Sequence, residues 1–289
     1  MINPLLQQTI KWEQRQRLTL LEATVFWSGE LSTQVLMDGF GISRVQASKD
    51  LTLYQSLCPG NIRYDKFLKR YVLDEAFKPA FMSGTAGEFL QVLRVQQDQA
   101  GGAVVTLVGH LPMVDVIEPV FRQVNPLVLQ IVNQAIIAGK EVRVRYQSMS
   151  RAEPALHRLC PHALAFDGLR WHVRAFSYTH HEFRDFVLAR IHAAEFSGFA
   201  DVDVDEDVAW QTFVPVRIGA HPGLSAMQKQ AVEFDYGMAS GVLEHKVRAA
   251  LLPYFLRMMR ISHDDLAREA MAQQIVLLNR EELSQYWVF

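Results

Sequence analysis

Arg44, Gln46, Ser48 and Lys49 follow a serine, Ser43, at spacings that put them on the outer surface of one helix. Arginine can grip guanine through two hydrogen bonds and glutamine can do the same to adenine, so this set could read bases. Arg63, Lys66, Lys69 and Arg70 come shortly after. Their chemistry suits phosphate oxygens, which add affinity without sequence information. Between Ser43 and Tyr71 the only acids are Asp50 and Asp65. A third group lies further along: Tyr146, Ser148, His157, His162, His172, Arg174, Arg184 and Arg190. Planar guanidinium groups pair with phosphate or carboxylate, and histidine adds hydrogen bonds and stacking. Brought together, these residues would form a pocket for a small anion.

The first two groups need a particular scaffold. Leu18, Leu21 and Val25 share a face over Trp12 to Val25, which predicts a helix. Leu31 to Met37 reads as a short second helix, and Asp38-Gly39-Phe40-Gly41 as a tight turn. Ser43 with Gln46 forms a capping box that starts a third helix, running to about Leu57. After Pro59-Gly60 come two strand-like runs, Asn61–Tyr64 and Arg70–Leu73, joined by a loop carrying Lys66 and Lys69. Helix, short helix, turn, helix and basic hairpin is the layout of a winged helix-turn-helix. The competing reading of such a three-helix unit is a dimerisation module.

Residues 79–140 read as a helical connector whose apolar surface fits a dimer interface and a core equally. Ala86 to Gln97 has helical spacing, Val104 to Val108 suggests a strand, and Asn125-Pro126 caps a helix that Gly139 ends. The third group then sits on short strands. Glu141 to Tyr146 alternates, with Val142, Val144 and Tyr146 on one face. Arg170 to Ala175 alternates too, placing Trp171, Val173 and Ala175 inward and Arg170, His172 and Arg174 outward. Arg184 to Ile191 is a third run, and Asp167-Gly168 a hairpin turn. A small, strongly curved antiparallel sheet or barrel is expected. Beyond an acidic stretch, Asp201 to Asp207, the chain reads as strand, helix, strand, helix and strand, with Phe213–Ile218, the Ser225 cap, Leu251–Met259 and Gln274–Leu278 marking the first strand, the two helices and the last strand. That suggests a small α+β layer.

These residues carry a family resemblance. Arg170-Trp171-His172-Val173 resembles the Trp-Tyr-Leu signature of WYL domains, and Arg184-Asp185-Phe186-Val187-Leu188-Ala189-Arg190-Ile191 is similar to their closing Arg-x-Phe-x-Leu-x-Arg-Ile strand. Two positions depart from the pattern: His172 replaces the tyrosine, and Ala189 the usual acid. Ser43-Arg44-x-x-x-x-Lys49-Asp50-Leu51 resembles the recognition helix of winged helices found upstream of WYL domains. Asp235-Tyr236-Gly237-Met238 resembles part of the extension that follows them. The order matches WYL transcription regulators, and within them the repressors of phage-defence islands of the BREX and CBASS kind.

The resemblance implies an α+β multidomain chain: a winged helix-turn-helix over 1–78, the connector, an Sm/SH3-like small β-barrel over 141–200, and a C-terminal α+β extension over 208–289 that helps build a homodimer. It implies a double-stranded DNA operator as partner. It also implies a ligand, a nucleotide or nucleic-acid fragment, at Trp171, His172, Arg174, Arg184 and Arg190, with Tyr146 and Ser148 at the pocket's edge. An activator of the same build, or a sensor whose barrel binds single strands, stays open.

Composition narrows the classes. The chain has 289 residues, 49% hydrophobic content and a net charge of −2, so it reads as globular with two or three units. No run of about 18 apolar residues suggests a membrane span, and no signal pattern precedes Pro4, which points to the cytoplasm. Cys58 and Cys160 stand apart, as reduced thiols would. His157, Cys160 and His162 match no strong zinc spacing, and no Gly-x-Ser-x-Gly, phosphate-binding loop or Gly-x-Gly-x-x-Gly occurs. No metal, cofactor or catalytic group is expected. The histidines otherwise read as surface and hairpin residues.

Overall fold

Leu18, Leu20, Leu21 and Val25 have no exposed surface, and they make helix α1 (Trp12–Ser28) the centre of its unit. The computed structural model describes residues 10–97, 112–117, 120 and 122–287. The chain divides into two units, residues 1–118 and 119–289.

In the first unit, α1 leads to β1 (Glu30–Leu31), α2 (Thr33–Phe40), α3 (Arg44–Leu57), and the hairpin of β2 (Ile62–Asp65) and β3 (Arg70–Leu73). The sheet order is β1-β3-β2. This is a winged helix-turn-helix. Gly41 makes its turn: its φ of +62° is strained for any side chain, and its N–H caps the Met37 carbonyl. Helix α4 (Ala86–Gln97) follows, with Phe89 stacked on Trp27 of α1 at 4.3 Å. The strand expected at Val104–Val108 lies outside the described residues.

A buried carboxylate ties this unit together. Glu22, on α1, is fully buried. One oxygen accepts the N–H groups of Ala80, Phe81 and Met82 at 2.8, 2.8 and 3.1 Å. The other accepts the Tyr54 hydroxyl of α3 at 2.9 Å. Burial, and then the Glu22 charge, pushes that phenol well above its ordinary pKa, so it stays a donor. Asn61 donates to the same hydroxyl and also holds the backbone of Lys78. Tyr54→Phe keeps the ring and removes the donor to a buried charge. We expect it to lower the unfolding free energy of the N-terminal unit by about 2 kcal/mol, read from a urea titration; an unchanged midpoint would refute the assignment.

The second unit begins with α5 (Pro126–Ala138), capped by Asn125 and ended by Gly139. The sequence groups this helix with the connector. In the structure its inner face, Val128, Val132 and Ala135, belongs to the core of the sheet that follows. That sheet has β4 (Lys140–Tyr146), β5 (Ala155–Phe166), β6 (Trp171–Ser177), β7 (Glu182–Val187) and β8 (Ile191–Phe199), all antiparallel, in the order β7-β6-β5-β4-β8. A 3₁₀ turn at Leu188–Arg190 splits what alternation presents as one run. Strand β5 passes from one neighbour to the other: Tyr146 to Val142 pair with 155–159, and β6 pairs with 159–166. Pro161 falls just past the β4 ladder, beside a register shift, where its missing N–H breaks nothing.

The rest of the unit is α6 (Val208–Gln211), β9 (Phe213–Ala220), α7 (Ala226–Asp235), β10 (Val242–Arg248), α8 (Leu252–Met258), β11 (Ile275–Leu277) and α9 (Arg280–Leu283). Its sheet runs β10-β9-β11. Val216, Ile218, Leu252 and Leu256 are fully buried in its core. Ser225 and Gln228 form a full capping box at α7. Among the described residues no helix is long and apolar enough to cross a membrane.

Candidate nucleic-acid interface and central cleft

Ser43 caps α3, its hydroxyl accepting the Gln46 N–H at 3.2 Å. The rest of the expected capping box is not formed, because the Gln46 side chain turns to Asp50 at 3.2 Å. Asp50 is fully buried and also receives Arg17 and Gln14 of α1. So the acid among the basic residues points inward and is neutralised there. Arg44, Ser48 and Lys49 remain exposed and, with Val45 and Thr52, line one shallow concavity. Gln46 therefore holds the Asp50 carboxylate within α3, and Asp50 carries the contact to α1. Val45, two-thirds exposed, was not among the residues singled out from sequence. Its methyl groups offer the apolar contact a thymine methyl accepts.

The wing holds its cations differently. Arg63 lies 3.7 Å from Asp65, and Arg70 pairs with Glu30. Lys66 and Lys69 are exposed at the tip. Asp65 also builds the turn, accepting the N–H groups of Phe67 and Leu68 at 2.8 and 2.9 Å. Those two backbone bonds hold its carboxyl below the usual range.

The expected anion pocket is rearranged. Arg174 and His172 are buried, not outward-facing. Arg174 makes a two-pronged pair with Asp207 (2.7 and 2.9 Å) and reaches Asp185 at 3.2 Å. His162 meets the same Asp207 oxygen as the Arg174 Nε, at 3.0 Å. Burial alone would raise the Asp207 carboxyl, but the bonds from Arg174 and His162 hold it well below the usual range. His172 bonds Asp167 at 2.9 Å and packs on Tyr254 at 4.9 Å. Tyr254 in turn donates to Asp185 at 3.0 Å. These contacts seal the sheet face that alternation assigns to solvent. Trp171, expected in the core, is instead about half exposed at the start of β6. Tyr146 is buried, its hydroxyl accepting the Val187 N–H. Ser148 bonds Ser150 in the following loop at 2.7 Å.

Arg174 and Arg184 do come together, on a cleft of about 490 Å³ shared with Glu182, Asp185, Tyr254 and Tyr286. Arg184 is exposed and pairs with Glu182 at 3.1 Å. Tyr146, Ser148, His162, His172 and Arg190 do not line it. The cleft is thus mixed in charge; Tyr254 comes from a stretch where sequence gives only apolar spacing, and Tyr286 lies beyond the last strand read from it. Among the described residues no group of His, Cys, Asp or Glu could hold a metal ion. Burial pushes both Cys58 and Cys160 up to about 11, so neither is a ready nucleophile.

His157, expected at the surface, is buried against Tyr146 and Phe186 with its Nδ1 unpartnered. Burial first, then the charges of His180, Arg151 and Arg184, lowers its pKa below 6.5. A depressed histidine is stabilising above its unfolded value of about 6.5, and that contribution is lost as pH falls through the folded value. The thermal midpoint of residues 119–289 should therefore drop from pH 7 towards pH 5. His157→Phe keeps an aromatic ring and should flatten that window; an identical slope in the variant would rule His157 out.

Comparison with known proteins covers nearly the whole chain. The family model described as the BrxR transcriptional regulator winged helix-turn-helix domain matches residues 13–95. The WYL domain matches 127–196, and the BrxR C-terminal dimerization domain matches 213–283. A protein of Escherichia coli (strain KTE188) named DNA-binding transcriptional repressor CapW is 33% identical over 277 residues, 96% of this chain and 93% of that one. Proteins of the same name from Pseudomonas aeruginosa and Stenotrophomonas maltophilia are 34% and 36% identical, each over 96% of this chain and 93% of their own.

Proposed function

Because the chain belongs to the CapW family of DNA-binding transcriptional repressors, with a BrxR-type winged helix, a WYL domain and a BrxR-type dimerization domain, we propose that it is a homodimeric repressor of a phage-defence operon. Each protomer places α3 in the major groove of one half of a palindromic operator, and a ligand at the WYL domain releases the dimer. The family is one of DNA-binding regulators, which is not an enzyme class.

The observation that carries this reading is the outer face of α3. Arg44, Val45, Ser48 and Lys49 are exposed together while Asp50 is buried against Arg17. A helix presenting two cations, a hydroxyl and a small apolar group fits a groove about 12 Å wide. The ligand proposal rests on the cleft at Arg174 and Arg184, but with a modified chemistry. Arg174 and Tyr254 are committed to Asp207 and Asp185, so Arg184, whose exposed pair with Glu182 a ligand can displace, and Tyr286 are the groups that would meet a nucleotide or nucleic-acid fragment. Release requires that the ligand bind one state of the dimer better than the other.

The test is selection of duplexes from a random pool by the purified full-length chain, with mass measured by light scattering. The expected result is a dimer enriching inverted half-sites whose centres lie about one helical turn, or a whole number of turns, apart. Short single strands or nucleotides added to that complex should dissociate it. A monomer, or enrichment of a lone asymmetric site, would overturn the dimeric operator reading.

A further inference from the structure

We propose that the wing ends in an apolar wedge, Phe67 with Leu68, that enters the minor groove beside each half-site and opens a base step there. This rests on the duplex-binding reading of α3 and adds to it a residue that sets specificity at the flank.

Phe67 is 93% exposed and Leu68 51%, at the turn between β2 and β3. A phenylalanine left in water gains nothing for folding, since apolar side chains stabilise only by leaving solvent. Yet the turn that displays it is built. The Asp65 carboxylate fixes the Phe67 and Leu68 N–H groups, and Asp65 pairs across the hairpin with Arg70. Lys69 holds a φ of +53°, where glycine would be the relaxed choice. The strained position therefore keeps a cation. Lys66 and Lys69 flank the two apolar side chains, with Arg63 and Arg70 behind them.

An apolar point between cations fits a surface with anionic walls and an apolar floor. The minor groove has that form, with phosphates on both rims and sugars and base edges between. Apolar side chains of minor-groove proteins enter by partly unstacking a step, and pyrimidine–purine steps unstack most readily. An anionic lipid surface has related chemistry. The duplex is favoured because the tip shares its unit with the exposed face of α3, separated from it in sequence only by residues 58–66.

The experiment selects duplexes from a random pool with the full-length wild type, Phe67→Ala and Lys66→Ala in parallel. Phe67→Ala should recover the same half-site core without a flanking TA or CA preference. It should bind the wild-type-selected duplex about 10-fold more weakly, with an unchanged salt slope. Lys66→Ala should keep the flank preference and lower the slope by about one. 2-Aminopurine at the flanking step should brighten with wild type and not with Phe67→Ala. Equal affinity and an identical selected sequence for Phe67→Ala would overturn the wedge. So would a Phe67-dependent affinity for phosphatidylserine vesicles with duplex binding untouched. A wild type that enriches no duplex would remove the reading of α3, a separate outcome from loss of the flank alone. Phe67 contributes nothing to a core, so a matched thermal midpoint for the variant serves as the folding control.

Discussion

Arg174→Ala lowers the stability of residues 119–289 by about 3–5 kcal/mol, the usual effect of removing one partner from a buried ion pair. The substitution leaves Asp207, 2% exposed at its side chain, with His162 and the Trp210 N–H, and Asp185 with Tyr254. Arg174→Lys does not rescue it, because one ammonium cannot meet both Asp207 oxygens and Asp185 in the plane a guanidinium spans. Arg184→Ala is the contrast. Its charge is half exposed beside Glu182, and an exposed pair contributes about 0–1 kcal/mol. Guanidinium chloride titrations of the full chain separate the two. Equal midpoints for both variants would mean that Arg174 does not join β6 to the segment before β9.

Arg44→Ala combined with Lys49→Ala weakens binding to a selected duplex by about 100- to 1,000-fold while leaving the thermal midpoint in place. A good two-pronged base contact is worth about 1–3 kcal/mol, and a lost phosphate contact also lowers the salt slope by about one. Gln46→Ala behaves differently. Its side chain is bonded to Asp50, so the variant loses stability before it loses base preference. Gel-shift titrations at several salt concentrations, beside melting curves, distinguish the two. Full affinity in the Arg44/Lys49 double variant would remove α3 from the interface.

Local chemistry made much of the N-terminal unit legible in the sequence. The Ser43 cap and the helical spacing of Leu18, Leu21 and Val25 depend on near neighbours alone, and those elements form where the signals lie; the turn expected over Asp38–Gly41 is narrower, since α2 runs through Asp38, Gly39 and Phe40 and only Gly41 turns. The central unit was harder because distant chain decides its faces. Alternation placed His172 and Arg174 outward, but Tyr254 and Asp207 cover that side of β6. Trp171 went the other way, left at the strand's open end. Strand β5 escaped notice because Cys160, Pro161 and His162 interrupt its pattern where the bulge forms. Glu141, read as a solvent-facing charge, is buried in a two-pronged pair with Arg158 at 2.7 and 2.8 Å. Asp207 read as one more acid of a linker, and nothing in its neighbourhood distinguished it from Asp205.

Glu22 clasps the backbone of residues 80–82 and, through Tyr54, the third helix. The segment between β3 and α4 is thus fastened to the helical frame as well as, through Asn61, to the foot of the hairpin. Tension on that segment loads α1 and α3 first. Pulled from residue 83 in an optical trap, the two helices should yield as one mechanical element, ahead of the strands; a hairpin that peeled away alone would show the load taking another route.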